Sequence, residues 1–185
     1  IHCGLDKCLY LGNLESLRDW GHAKDYVEMQ WRMLQQDEPR DFVISTGRQE
    51  SIKTFVELTA KKLGWNKNPS DCAIIWEGEG ENEKGRRADT KEIVVKVDKR
   101  YFRPKEVETL LGDSTKAKKL LGWTPVSSLE DLINEMVEND LWEVQVRYNR
   151  DLPPEVEGIN VRGITTEVDG IYMRGDQSLF EVELF

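Results

Sequence analysis

Arg18, Arg103 and Glu106 are the residues of this chain whose types and placement point most directly to chemistry. Two arginines far apart in sequence can clamp a diphosphate by bidentate, charge-assisted hydrogen bonds, and a carboxylate beside them can accept both hydroxyls of a ribose. Arg103 precedes Pro104, which excludes it from helical geometry and presents it on extended chain. Arg18 falls between a turn and the start of an amphipathic helix, where backbone N–H groups are unpaired and favour an anion. The competing reading is that each arginine beside Trp or Tyr is a surface cation stacked on a ring. Spacing alone does not choose between the two.

The elements that must position these residues follow an α/β rhythm. Leu9-Tyr10-Leu11 reads as a short strand closed by Gly12-Asn13. Apolar positions recurring at three and four predict a helix over 22–36, which Glu38-Pro39 stops. Residues 41–47, a β-branched and aromatic run ending in Gly47, predict a buried strand. Ser51 is placed to cap a helix over 52–63, with Gly64 behind it. Residues 72–77 and 93–98 predict two further strands, separated by a charged, glycine-containing loop over 79–90. Helices are predicted over 105–111, 114–121 and 129–141. Beyond residue 142 the alternation of 144–148 and 159–185, broken by Pro153-Pro154, predicts a β-rich extension. The chain thus divides into residues 1–142 and an extension of 143–185.

With 185 residues, 38% hydrophobic and 33% charged, the chain has the composition of one folded unit. A formal charge of −9 excludes a nucleic-acid surface or an anionic-membrane surface, which need many lysines and arginines acting together. No apolar run reaches the about 20 residues needed to span a bilayer, and a cytoplasmic protein is expected. Cys3, Cys8 and Cys72 follow no metal-binding spacing and are expected to be reduced, structural thiols. His22 is expected to pack at a helix start beside Trp20, and Trp123 to fill the core behind the later helices. Glu77, Glu79, Glu81 and Glu83 are expected to be a solvated charged loop.

Longer stretches carry a resemblance. Leu9 to Asn13, Arg18-Asp19-Trp20-Gly21-His22-Ala23-Lys24-Asp25-Tyr26-Val27, Met33-Leu34-Gln35-Gln36, Asp41-Phe42-Val43-Ile44, Arg100 to Asp113 and Lys119 to Pro125 resemble, in order and spacing, landmarks of the GDP-mannose 4,6-dehydratases. The resemblance covers about residues 1–141 and matches the C-terminal part of that family's chain. It implies the substrate-binding portion of an extended short-chain dehydrogenase/reductase acting on nucleotide sugars, with an incomplete Rossmann unit. It also implies a family reaction that uses NADP to convert GDP-mannose to GDP-4-keto-6-deoxymannose and water. By the same resemblance Arg18 and Arg103 would bind the pyrophosphate, Glu106 the ribose, and Leu11, Gly12 and Asn13 would lie near the guanine.

The departures from the family pattern bear equally on function. Such enzymes seat the pyrophosphate of NADP on a glycine-rich turn between a strand and a helix, and relay a proton through a Tyr and a neighbouring Lys. Gly78-Glu79-Gly80 is only a partial match, followed by acidic loop, and no Tyr is read with a Lys four residues on as a relay. The family's catalytic residues are expected upstream of Ile1, so this chain is expected to bind no NADP alone and to be inactive alone. GDP-mannose or GDP is the expected ligand, and a separate NADP-binding half or a second copy the expected partner. A non-catalytic nucleotide-sugar-binding or protein-interaction module remains the alternative.

Overall fold

Four short strands form a mixed sheet in the computed structural model, which describes residues 1–107 and 109–148. Strand β1 (Leu9–Leu11) runs parallel to β6 (Ile93–Val97), with Leu9 opposite Val95 and Leu11 opposite Val97. On the other side of β6 lies β5 (Lys84–Arg87), and beyond it β4 (Ile74–Glu77), both pairings antiparallel, giving the order β1-β6-β5-β4. A separate two-stranded ribbon joins β2 (Leu17–Arg18) to β3 (Glu50–Ser51). The helices are α1 (Ala23–Leu34), α2 (Ile52–Lys62), α3 (Thr115–Leu121) and α4 (Leu129–Tyr148).

Helix α2 is capped as its sequence predicts, with the Ser51 hydroxyl accepting from the Thr54 N–H. It packs between the sheet and α4. Ala60 joins Trp65, Ala73, Ile74, Val94 and Val95 against the sheet, while Phe55, Leu58 and Leu63 meet Ile133, Val137 and Leu141 of α4. Met29 of α1, Ala117 of α3 and Trp123 form a third cluster, and Trp123 is 1% exposed, filling the core as expected. Its indole donates to the Asp25 carbonyl at 2.9 Å, so even this apolar plug has its polar atom satisfied.

His22 is buried, and both of its ring nitrogens are engaged within the fold. Nδ1 accepts from the Lys24 N–H at 3.1 Å, capping α1, and Nε2 lies 3.1 Å from Glu135 of α4. Trp20 stacks on Phe55 instead, with ring centroids 4.7 Å apart. Hydrogen bonds from Lys24 and His22 hold the Glu135 carboxyl below the usual range, against the opposing effect of burial.

Four expectations are corrected. Residues 41–47 are not a strand: among the described residues they form no backbone–backbone hydrogen bonds. A β-branched run becomes a strand only beside a partner, and here Phe42 and Ile44 pack instead on the Met29–Trp123 cluster. The loop expected over 79–90 contains β5, a central strand of sequence Lys-Gly-Arg-Arg. The helix expected over 105–111 does not form; Val107, Leu110 and Leu111 are all more than half exposed and bury no common apolar face. Residues 144–148, read as alternating strand, continue α4 to Tyr148, so the division at residue 142 falls inside a helix. The remainder of the expected β-rich extension lies outside the described residues.

Candidate functional site

The parallel pair β1 and β6 ends side by side, and the chain leaving each strand turns toward the other. At the end of β1 the Leu11 carbonyl accepts from the Asp98 N–H at 2.9 Å, just past β6. A turn follows, closed by the Tyr101 and Phe102 N–H groups on the Asp98 carbonyl. The Asp98 carboxylate braces this turn by accepting from the Arg100 guanidinium and backbone, which hold it below the usual carboxylate range. Gly12 lets the turn approach, because a Cβ there would collide with the Tyr101 carbonyl.

Asn13 then meets Arg103 as one amide meets another. Its Oδ1 accepts from the Arg103 N–H at 2.8 Å, and its Nδ2 donates to the Arg103 carbonyl at 2.9 Å. With its backbone held on both sides, the Arg103 side chain projects outward and is 75% exposed. Its Nη1 lies 3.8 Å from Glu106.

Arg18 reaches the same carboxylate from β2. Its Nη2 donates to Glu106 Oε1 at 2.9 Å, and its Nη1 donates to the carbonyls of Leu17 and Val107 at 2.8 and 3.3 Å. Glu106, 15% exposed in its side chain, therefore sits between two guanidiniums. All six residues singled out in the sequence, Leu11, Gly12, Asn13, Arg18, Arg103 and Glu106, are gathered at the carboxyl ends of β1 and β6. In open α/β sheets ligands bind at that end of the strands. Among the described residues neither arginine stacks on a ring; the cation–π contact in this neighbourhood is Arg100 over Tyr101, at 5.5 Å.

Two features escape the sequence reading. Asn13 is expected beside a ligand, whereas its amide is engaged with the chain. Tyr101 and Lys105 do stand four residues apart, so the expectation that no such Tyr–Lys pair exists is corrected. The spacing aligns two side chains only on a helix, and residues 101–105 are not helical, with both side chains exposed. This pair lacks the geometry of a relay.

Gly78-Glu79-Gly80 does not fit the pyrophosphate of a dinucleotide. It links β4 to the single 3₁₀ turn Gly80–Asn82, which passes directly into β5, so no helix follows the strand to present a row of N–H groups. Glu83 behind it is buried and bonded to Lys53 at 2.7 Å, rather than solvated as expected. Cys8 and Cys72 are free thiols, and burial pushes the Cys8 thiol up. An apolar groove of about 520 Å3 lies elsewhere, between β1, α2 and α4, lined by Leu9, Phe55, Val56, Val137 and Leu141 among others. None of the arginine cluster lines it. Among the described residues no helix is long and apolar enough to cross a membrane.

The mixed sheet and its helices form a partial Rossmann-like α/β unit, a fold shared with structures of the nucleotide-sugar epimerase and short-chain dehydrogenase/reductase class. The NADPH complex of RMD from Pseudomonas aeruginosa shares this fold with a TM-score of 0.52 and 17% identity, over 74% of this chain and 37% of that one. A putative epimerase from Burkholderia cenocepacia shares it with a TM-score of 0.50 and 21% identity, over 72% and 36% of the two chains. Within this class the chain belongs to the GDP-mannose 4,6-dehydratase family, whose family model matches residues 1–136. It is 48% identical over 169 residues to a GDP-mannose 4,6-dehydratase of Vibrio cholerae, covering 83% of this chain and 44% of that protein. It is 49% identical over 141 residues to the Homo sapiens GDP-mannose 4,6 dehydratase, covering 76% and 36%. The chain thus spans less than half the length of these relatives.

Proposed function

We propose that this chain is the substrate-holding part of a GDP-mannose 4,6-dehydratase, matching the C-terminal part of the family's polypeptide. It binds the GDP moiety of GDP-mannose at the cluster on the carboxyl ends of β1 and β6. Arg103 and Arg18 hold the pyrophosphate, Glu106 accepts the ribose hydroxyls, and Leu11 to Asn13 border the guanine. The observation that carries this reading is the half-enclosed Glu106 carboxylate flanked by Arg18 at 2.9 Å and Arg103 at 3.8 Å. A diphosphate and a ribose need that mixture of two cations and one acceptor at one place.

The reaction served is conversion of GDP-mannose to GDP-4-keto-6-deoxymannose and water, in the cytoplasm. NADP supplies hydride exchange in that reaction, and it is held by a separate half, in the same polypeptide or another. The chain alone is inactive, because Tyr101 and Lys105 do not form a relay and the Gly78–Gly80 turn does not cradle a dinucleotide.

Titration calorimetry with GDP tests the binding reading. The chain binds GDP, and Arg103→Ala weakens binding by about 10- to 100-fold, the effect of losing hydrogen bonds to a charged group at about 1.5–3 kcal/mol. Absence of GDP binding at millimolar concentration, or an unchanged Kd in Arg103→Ala, overturns it. Formation of the 4-keto product by the isolated chain with NADP overturns the inactivity.

A further inference from the structure

Besides the place at the guanine border proposed above, Asn13 has a second role within the chain. Its carboxamide grips the Arg103 backbone from 90 residues away, with the acceptor on the N–H at 2.8 Å and the donor on the carbonyl at 2.9 Å. The orientation of the amide is fixed by this pairing, since a flipped amide would set NH2 against N–H and carbonyl against carbonyl. The neighbouring contacts bring the same two pieces of chain together. The Leu11 carbonyl accepts from the Asp98 N–H, and the absent side chain of Gly12 makes room for the Tyr101 carbonyl.

We infer that Asn13 is a positioning residue that fixes the backbone from which the Arg103 guanidinium reaches a ligand, and so acts on an anionic ligand through Arg103. The inference rests on the reading of Arg103 as a phosphate-binding arginine and deepens it. The side chain of Arg103 is 75% exposed and its only described side-chain partner is Glu106 at 3.8 Å, so what the fold fixes is the backbone from which the guanidinium reaches out. A carboxamide is the side chain that offers a donor and an acceptor side by side at this reach; aspartate offers acceptors alone and would repel the Arg103 carbonyl. Pre-orienting one guanidinium removes part of the ordering cost of binding, because a rigid contact loses less freedom when the ligand arrives.

A double-mutant cycle in the 185-residue chain tests this with GDP as the probe, read by calorimetry. Asn13→Asp lowers GDP affinity about tenfold when Arg103 is present and less than about twofold in the Arg103→Ala background, the non-additivity of two residues acting as one unit. Asn13→Gln, which retains the amide pair one methylene further out, recovers part of the affinity and serves if Asn13→Asp does not fold. A merely structural role lowers the thermal midpoint of the ligand-free chain and weakens GDP binding equally in both backgrounds, and that result overturns the inference. If Arg103→Ala weakens binding and the Asn13 variants do not, the positioning role falls while the phosphate reading stands. If Arg103→Ala itself has no effect, the phosphate reading falls and the positioning role with it.

Discussion

Strand β5 and residues 41–47 are held in the fold by opposite means. Lys84–Arg87 lies between two strands, with Ile74 to Glu77 on one side and the β6 residues Ile93, Val95 and Lys96 opposite it on the other. Its polar side chains are kept at the surface by ion pairs, Lys84 and Arg86 meeting Glu77 at 3.0 and 2.9 Å. Residues 41–47 are held by side chains. Asp19 accepts from the N–H groups of Thr46 and Gly47, both at 2.9 Å, and from the Thr46 hydroxyl at 2.6 Å. Lys116 donates to the Asp41 carbonyl, while Phe42 and Ile44 rest on the Met29–Trp123 cluster. Strand structure belongs to the pairing and not to the composition of the segment: a polar tetrapeptide with ladders on both sides is a strand, and a β-branched and aromatic heptapeptide without one is not.

The largest effect tests the side-chain anchor. Asp19→Ala strands the amides of Thr46 and Gly47 and costs about 2–3 kcal/mol, the range for hydrogen bonds to a charged group. Urea unfolding measures it, and a loss below about 0.5 kcal/mol shows that the apolar contacts alone hold the segment. The next effect tests the ladder. A Cβ on Gly85 would lie 2.9 Å from Ile74 and 3.0 Å from the Trp76 ring, so Gly85→Ala forces the β4 side chains to move and costs about 1–2 kcal/mol by overpacking. Unchanged stability would mean that Trp76 swings aside freely.

The smallest effect tests the ion pairs that let polar residues occupy a central strand. Hydrogen bonds from Lys84 and Arg86 lower the Glu77 carboxyl below its ordinary value of 4.5. A lowered native value means that proton uptake favours the unfolded chain. The contribution is therefore whole above the ordinary value and is lost as the pH falls through the lowered one. The protection factors of the β4 and β5 amides, corrected for the intrinsic pH dependence of exchange, are expected to fall over that acid range, and Glu77→Gln to flatten their pH dependence. An unchanged acid profile in the Glu77→Gln variant would assign the effect to another carboxylate.

The candidate site is more legible than the sheet that supports it. Arg18, Arg103 and Glu106 stand out because guanidinium and carboxylate chemistry is a property of residue type. Pro104 also marks Arg103 as lying on non-helical chain. Their convergence, 88 residues apart for Arg18 and Glu106, depends on β1 and β6 ending together, and a parallel pairing leaves no local turn signal in the sequence. The helix expected over 105–111 fails for a related reason. Its periodicity is real, but Glu106 and the Val107 carbonyl are tied to Arg18, and Thr109 donates to Gln49 at 2.8 Å.

Residue order alone carried the helices α1 and α2, the Ser51 cap and the strands β1, β4 and β6. Those features depend on neighbours three or four positions away, or on an uninterrupted apolar run, which the chain states locally. Tertiary structure decided that Lys-Gly-Arg-Arg is a central strand, that 41–47 is not one, and that Asn13 grips Arg103. Each of these depends on hydrogen-bonding groups that become neighbours only after the chain has folded back on itself, so no local pattern could announce them.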